Sequence, residues 1–212
     1  MTRLDQLLRL LLTASAFFFF YVGGALLSWF LLPVALLGGG DAARRSARCR
    51  AAVGTAFVLF HDYMRICRLI HYDPRALRPQ MPTGPCVVVA NHPTLIDVTA
   101  LMAASPQTTC VVKPSLLASP ALGRLLRLCW HIRGGSGDLG DADTVIEGSL
   151  RRLTAGLPVL LFPEGTRSPE AGLRSFKRGA FEIACQAKVP VAPIYITCTP
   201  PVLAKEAPWY RV

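Results

Sequence analysis

The sequence predicts an α/β domain with a largely parallel central sheet flanked by helices, preceded by an N-terminal membrane-associated helical segment. Three observations carry this reading. From residue 86 onward, short apolar runs alternate with helix-permissive stretches, the pattern of strand–helix–strand units. Two of the runs end in polar turns, Asn91-His92-Pro93-Thr94 and Pro163-Glu164-Gly165-Thr166-Arg167, as strands do where open α/β sheets place their chemistry. Finally, no residue from Leu10 to Gly40 is charged, and roughly 20 apolar residues suffice to span a bilayer.

In chain order, residues 1–72 are expected to be membrane-inserted or membrane-associated helices. Phe17 to Phe20 are consecutive phenylalanines, while Gly23-Gly24 and Pro33 interrupt the apolar run, so one span and a bent or re-entrant segment both fit. A signal peptide fits less well, because the run is too long and lacks a small-x-small cleavage site. Arg44, Arg45, Arg48 and Arg50 outnumber Arg3 and Arg9, which by the positive-inside rule places the following domain on the cytoplasmic face of the inner membrane. Val53, Phe57, Phe60, Met64 and Cys67 recur at helical spacing, predicting a helix over 51–72 that lies on the membrane or packs on the domain. His61 within it reads as structural. Residues 73–85 read as a connector, with Met81-Pro82-Thr83-Gly84-Pro85 a turn before the first strand.

The domain proper, 86–212, has expected strands at 86–90, 108–112, 157–162 and 190–197, and helices at 94–104, 120–129, 142–155 and 177–187. Pro93 and Pro120 suit first helical positions, where the missing N–H has no intrahelical partner. Pro190 and Pro193 suit a sheet edge or bulge. Gly134-Gly135-Ser136-Gly137 reads as a flexible loop.

Composition narrows the function. The chain is 52% hydrophobic and 17% charged with a formal charge of +10, and its mean hydropathy is +0.39. Globular domains carry nearer ~25% charged residues, so some apolar surface is expected to face lipid. No nucleic-acid-binding motif accompanies the arginines, and an anionic membrane surface fits better than nucleic acid. Seven cysteines, odd in number and never in C-x-x-C spacing, read as buried free thiols in a reducing compartment. The four histidines are dispersed, and no metal site is expected.

The chemistry concentrates at His92 and Asp97. A histidine just outside a helix can fold its ring back to the carboxylate. Such a carboxylate fixes the tautomer and leaves the second ring nitrogen to accept a proton. The block Asn91-His92-x-x-x-x-Asp97, followed by Phe162-Pro163-Glu164-Gly165-Thr166-Arg167-Ser168, resembles the glycerolipid acyltransferase family, that of the lysophosphatidic acid acyltransferases. The likeness covers about residues 84–197. It implies that His92 is the general base and Asp97 its orienter. The acceptor hydroxyl then attacks a thioester directly, in keeping with the lack of a G-x-S-x-G nucleophile elbow.

By the same resemblance Glu164, Gly165, Thr166 and Arg167 form the acceptor-binding loop. Gly165 admits close backbone approach and Arg167 grips a phosphate. Asn91, Lys113, Arg133 and Lys177 are further candidate substrate-binding residues. Lys113 would attract the donor's phosphate, or is an ordinary surface lysine. Arg174, Lys177 and Arg178 would extend the phosphate-binding surface, or form a solvated helix start. Val189-Pro190-Val191-Ala192-Pro193-Ile194 resembles the family's fourth motif. The second motif departs: Ile132 matches, but the acidic-arginine pair is missing and Arg133 is a substitute only in a shifted register. The Val111-Val112-Lys113 run and the tail, Cys198-Thr199-Pro200-Pro201 through Pro208-Trp209-Tyr210-Arg211, look closer to relatives from bacterial aryl-polyene clusters. Family members usually continue past this point, so a missing C-terminal portion is expected.

The expected function is acyl transfer from acyl-CoA or acyl carrier protein, as co-substrate and without a cofactor, to the hydroxyl of a lysophospholipid or related membrane lipid. A non-catalytic lipid-binding module and a hydrolase are the alternatives.

Overall fold

The structure is a computed structural model that describes residues 3–31, 33, 37–135, 141–169 and 172–205. Five parallel strands form the sheet: β1 (Val87–Ala90), β2 (Thr109–Val112), β3 (Ile132–Arg133), β4 (Val159–Leu161) and β5 (Val191–Ile194). Their order is β3-β2-β4-β1-β5. The interior strand β1 pairs with β4 (Val87 opposite Val159) and with β5 (Val87 opposite Val191). A β-branched run buried on both faces is what a central parallel strand requires, and all four β1 residues are buried. Alternate side chains enter two cores. Val88 and Ala90 pack with Leu101, Ala104, Cys110 and Leu160 on one face, and Val87 and Val89 with Ile132, Leu153, Val159 and Ile183 on the other.

The helices are α1 (Arg3–Leu26), α2 (Ala42–Ile66), α3 (Asp97–Ala104), α4 (Pro114–Leu117), α5 (Gly123–Leu128), α6 (Asp141–Thr154) and α7 (Gly179–Ala187). α1 runs through Gly23-Gly24 without a break, and a π-helical turn follows at Leu27–Leu31. Gly24 serves packing instead, since a Cβ there would lie 2.6 Å from Leu122 Cδ2. The helical stretch Arg3–Phe30, 28 residues with hydropathy 2.0, is long and apolar enough to cross a membrane.

Several expectations need correction. α2 begins at Ala42, not 51, because the Asp41 carboxylate caps it by accepting from Arg44 N at 2.8 Å. It ends at Ile66 and packs on the α/β unit. Arg50, one of the four flank arginines, is buried, donates to Ser46 Oγ at 2.7 Å and lies over the Trp130 ring. The connector contains a 3-10 helix at Pro74–Gln80, capped by Asp73. α3 starts at Asp97, so Pro93 is not at a first helical position. Pro120 is not either: Pro114 opens α4, and α5 starts only at Gly123. α7 starts at Gly179 rather than 177, and β4 and β5 are shorter than expected.

Strand β3 was not foreseen, having only two paired residues. β5 is the edge strand expected from its prolines. His61 is structural as expected, fully buried with Nε2 3.1 Å from Thr99 Oγ1. That hydroxyl donates to Ile96 O at 2.7 Å, so Nε2 carries the proton given to it. All seven cysteines are free; Cys49, Cys86, Cys110 and Cys129 are buried and Cys185 is exposed. Ser136, Gly137 and the tail residues Pro208 to Arg211 lie outside the described residues.

Candidate active site

The site sits where β1 and β4 leave the C-terminal edge of the sheet. After Ala90, Asn91 extends the edge pairing through its side chain. Its Nδ2 donates to Ile196 O at 2.8 Å and its Oδ1 accepts from Ile196 N at 2.6 Å. That amide therefore ties the end of β1 to the segment after β5.

His92 follows, and its Nδ1 lies 2.9 Å from Asp97 Oδ2. The same oxygen accepts from Thr94 N at 2.7 Å, and Oδ1 accepts from Thr94 Oγ1. These bonds hold residues 94–96 in a turn, which is why α3 begins at Asp97. Since the carboxylate only accepts, Nδ1 bears the proton and Nε2 is left with its lone pair. Among the described residues no protein group bonds to Nε2. The Asp97 side chain is 5% exposed and that of His92 17%, so the carboxylate is shielded while the ring keeps some exposure. The Phe162 ring stacks on the imidazole, with centroids 4.2 Å apart and planes 23° apart.

The second block is locked to the first. Glu164 is buried, and its Oε1 accepts from His92 N at 3.3 Å and from Ser168 Oγ. Its Oε2 accepts from Arg174 N at 2.8 Å. Ser168 Oγ also accepts from His92 N at 3.1 Å, while Ser168 N donates to His92 O at 2.8 Å. One carboxylate thus joins residues 92, 168 and 174. Gly165 has φ +70°, and a Cβ there would lie 3.1 Å from Lys177 Cε and Nζ; glycine meets both demands. Lys177 N donates to Pro163 O at 2.8 Å, which brings the exposed lysine over the loop. Arg167 Nη1 donates to Leu203 O at 2.6 Å and to Ala204 O at 3.0 Å. Thr166 is half-buried beside it.

Both blocks therefore meet at one edge. The family model that matches is Acyltransferase, over residues 69–197, more than half of the chain. The chain belongs to the Acyltransferase family.

Relatives include 1-acyl-sn-glycerol-3-phosphate acyltransferase alpha of Mus musculus, 35% identical over 60% of this chain and 46% of the relative. The corresponding human beta protein is 33% identical over 65% of this chain and 49% of the relative. The chain thus spans about half the length of these relatives. The crystal structure of the 1-acyl-sn-glycerophosphate (LPA) acyltransferase, PlsC, from Thermotoga maritima has the same fold. It matches with a TM-score of 0.73 at 20% identity, covering 94% of this chain and 78% of that one.

Not every candidate joins this site. Lys113 is exposed directly after β2, on the same sheet edge. Arg133 is instead on β3, the far edge strand. It lines a cavity of about 340 Å³ with His131, Thr144, Gly148, Arg151 and Arg152, away from His92. Phe162, Thr94 and Ser168 received no role from the sequence, although Phe162 and Ser168 bound the second block. Among the described residues no group of three or more His, Cys, Asp or Glu side chains is placed to hold a metal.

Proposed function

We propose that this chain transfers a fatty acyl group from acyl-CoA or acyl carrier protein to the free hydroxyl of a lysophospholipid of the 1-acyl-glycerol-3-phosphate kind. The observation that carries the reading is the 2.9 Å contact of His92 Nδ1 with a buried carboxylate, which leaves Nε2 as a base. Nε2 takes the proton of the acceptor hydroxyl as its oxygen attacks the thioester carbonyl carbon. The carbonyl oxygen becomes an oxyanion. Collapse of the tetrahedral intermediate breaks the C–S bond, and the thiolate takes the proton back from the imidazolium. General-base catalysis of this kind contributes about 10²–10⁴-fold.

Glu164 acts by clamping, since both of its oxygens already accept from protein donors. Arg167 and Lys177, with the open backbone at Gly165 and the Thr166 hydroxyl, receive the acceptor phosphate. Arg167 reaches it through the nitrogens not engaged with Leu203 and Ala204, or by releasing those carbonyls. Asn91 positions His92, and Lys113 attracts the donor's phosphate. The uncharged segment ahead of Arg44, Arg45 and Arg48 supports a site on the cytoplasmic face of the inner membrane.

The test uses the full chain in nanodiscs with labelled acyl-CoA or acyl carrier protein, with and without 1-acyl-glycerol-3-phosphate. Label appearing in the acceptor supports the reading. Acyl donor consumed equally without acceptor would make the chain a hydrolase, and no consumption with either donor would make it a binding module.

A further inference from the structure

A cluster of positive charge without matching acids lies at the far edge of the sheet, around Trp130. Arg50 of α2 is buried and bonds only to neutral groups, Ser46 Oγ at 2.7 Å and Gln107 Oε1 at 3.2 Å. Its guanidinium lies 5.8 Å from the centroid of the Trp130 ring, and that of Arg152 lies 5.4 Å from the same ring. Arg152 Nε donates to Trp130 O at 2.8 Å. Among the described residues neither arginine meets a carboxylate, and the Arg133 side chain has no bonding partner. A buried cation without a counter-charge is costly, and here two guanidinium groups share one ring.

The local chain gathers these groups at a cleft. α5 ends at Leu128, and Trp130 follows in the left-handed conformation, φ +62°, at a helix end where glycine is usual. That conformation strains a tryptophan, and its ring carries both cations. His131 is buried, and its Nδ1 accepts from Cys110 N at 3.1 Å, so Nε2 bears the proton. No acceptor meets Nε2 among the described residues. Gly148 lets α6 close on β3, since a Cβ there would lie 2.8 Å from Ile132 Cγ2. His131, Arg133, Thr144, Arg151 and Arg152 line the resulting cavity of about 340 Å³, a size suited to a small ligand. The last turn of a helix favours cations, which accounts for Arg151 and Arg152 but not for Arg133 and His131 beside them. Among the described residues the acid bonded to this set is Glu147, 3.1 Å from Arg151 Nη2. Asp141 and Asp143 stand at the opposite end of α6, next to Thr144, so an anion belongs toward His131 and Arg152.

We propose that this cleft is a second anion site, separate from His92, which takes a small phosphate-bearing ligand. The phosphate accepts from His131 Nε2–H and from the guanidinium groups of Arg133, Arg151 and Arg152. β3 stands three strand spacings from β1, roughly 14 Å at about 4.8 Å each, so this phosphate is not the one assigned to Arg167. Two sources share the chemistry: the nucleotide phosphates of a CoA donor and a free phosphorylated metabolite. The site itself does not depend on the proposed acyl transfer; only its assignment to the donor rests on that reading.

The test titrates inorganic pyrophosphate, and separately adenosine 3′,5′-bisphosphate, into the full chain in phosphatidylcholine nanodiscs by isothermal calorimetry. Arg167→Ala is present throughout, to remove phosphate binding at the other loop. At least one anion should bind. Arg133→Glu and Arg151→Glu, both at exposed positions, should each weaken binding about tenfold or more, as loss of a charge-assisted phosphate bond implies. The same reversal at Arg78, exposed on the 3-10 helix, should leave it unchanged. Binding of neither anion, binding undiminished in Arg133→Glu and Arg151→Glu, or an equal loss in Arg78→Glu would overturn the site. Tighter binding of the bisphosphate than of pyrophosphate, with a KM raised for acyl-CoA but not for acyl carrier protein when Arg133→Glu is made alone, assigns the ligand to the donor. Comparable affinities and an unchanged KM assign it to a free metabolite. Anion binding without any acyl transfer would strike the proposed function and leave this site standing.

Discussion

Replacing Asp97 by asparagine separates the two services this carboxylate renders to His92. In a histidine–carboxylate pair without further constraint, the amide can turn its NH₂ to the ring, force the wrong tautomer and cost about 10⁴-fold in turnover. Here the oxygen nearest His92 Nδ1 also accepts from Thr94 N at 2.7 Å, and a backbone N–H cannot reverse its polarity. The amide oxygen must therefore stay on the histidine side, with NH₂ facing Thr94 Oγ1, a hydroxyl able to accept. The tautomer survives and only the negative charge is lost. A charge pair about 4 Å apart at an effective dielectric constant of 20 is worth about 4 kcal/mol, and the amide dipole retains part of it. Asp97→Asn should thus lower single-turnover acyl transfer by about 10²–10³-fold, with the thermal transition near that of the parent. Nitrogen-15 NMR of the histidine ring should report the proton still on Nδ1. A variant with the proton on Nε2 and turnover as low as that of Asp97→Ala would refute the backbone lock, and undiminished turnover would refute the need for the charge.

Other consequences follow from the same contacts. Glu164→Ala leaves donors of residues 92, 168 and 174 without their carboxylate and should cost about 3 kcal/mol in stability, measured by chemical denaturation, together with most of the turnover. Arg167→Ala should raise the acceptor's KM by about 10–100-fold, the worth of charge-assisted phosphate bonds, with little change in the donor's; the opposite pattern would reassign it. Burial holds His61 and His131 neutral, each lowered from 6.5 to about 4, with nearby arginines adding to the effect at His131. Between pH 6.5 and 4 the unfolded chain binds more protons, so stability falls as pH drops through this window, by on the order of 3 kcal/mol per histidine. Denaturation midpoints at pH 7 and pH 5 check this, and His61→Gln should flatten the difference.

Much of the architecture was legible because its signals are local. Val87-Val88-Val89 is an apolar run that only a buried strand accommodates, and Pro190 and Pro193 marked β5 as an edge. The two polar blocks were legible as a pair at one sheet edge, as was His92 bonding Asp97. What escaped depends on contacts distant in sequence. Glu164 looks like a ligand-facing acid in a turn, and only the fold reveals that its partners are the backbone of His92 and Arg174. Asn91 similarly spends its amide on Ile196, 105 residues away. Arg50 read as one of four flank cations because burial of an arginine against Trp130 leaves no periodic trace. The two residues of β3 are too few for any pattern, and the late start of α3 follows from a side chain that prefers holding Thr94 to lying inside a helix.

The proposed mechanism requires that one imidazole, held by Asp97, remove the acceptor's proton. The most direct measurement is single-turnover transfer of a labelled acyl group by His92→Ala in the full chain in nanodiscs, with the thermal transition recorded on the same sample. The expected result is a folded protein that still binds donor and acceptor but transfers at least ~10²-fold more slowly. A folded His92→Ala variant that transfers the acyl group at the parent's rate would contradict it.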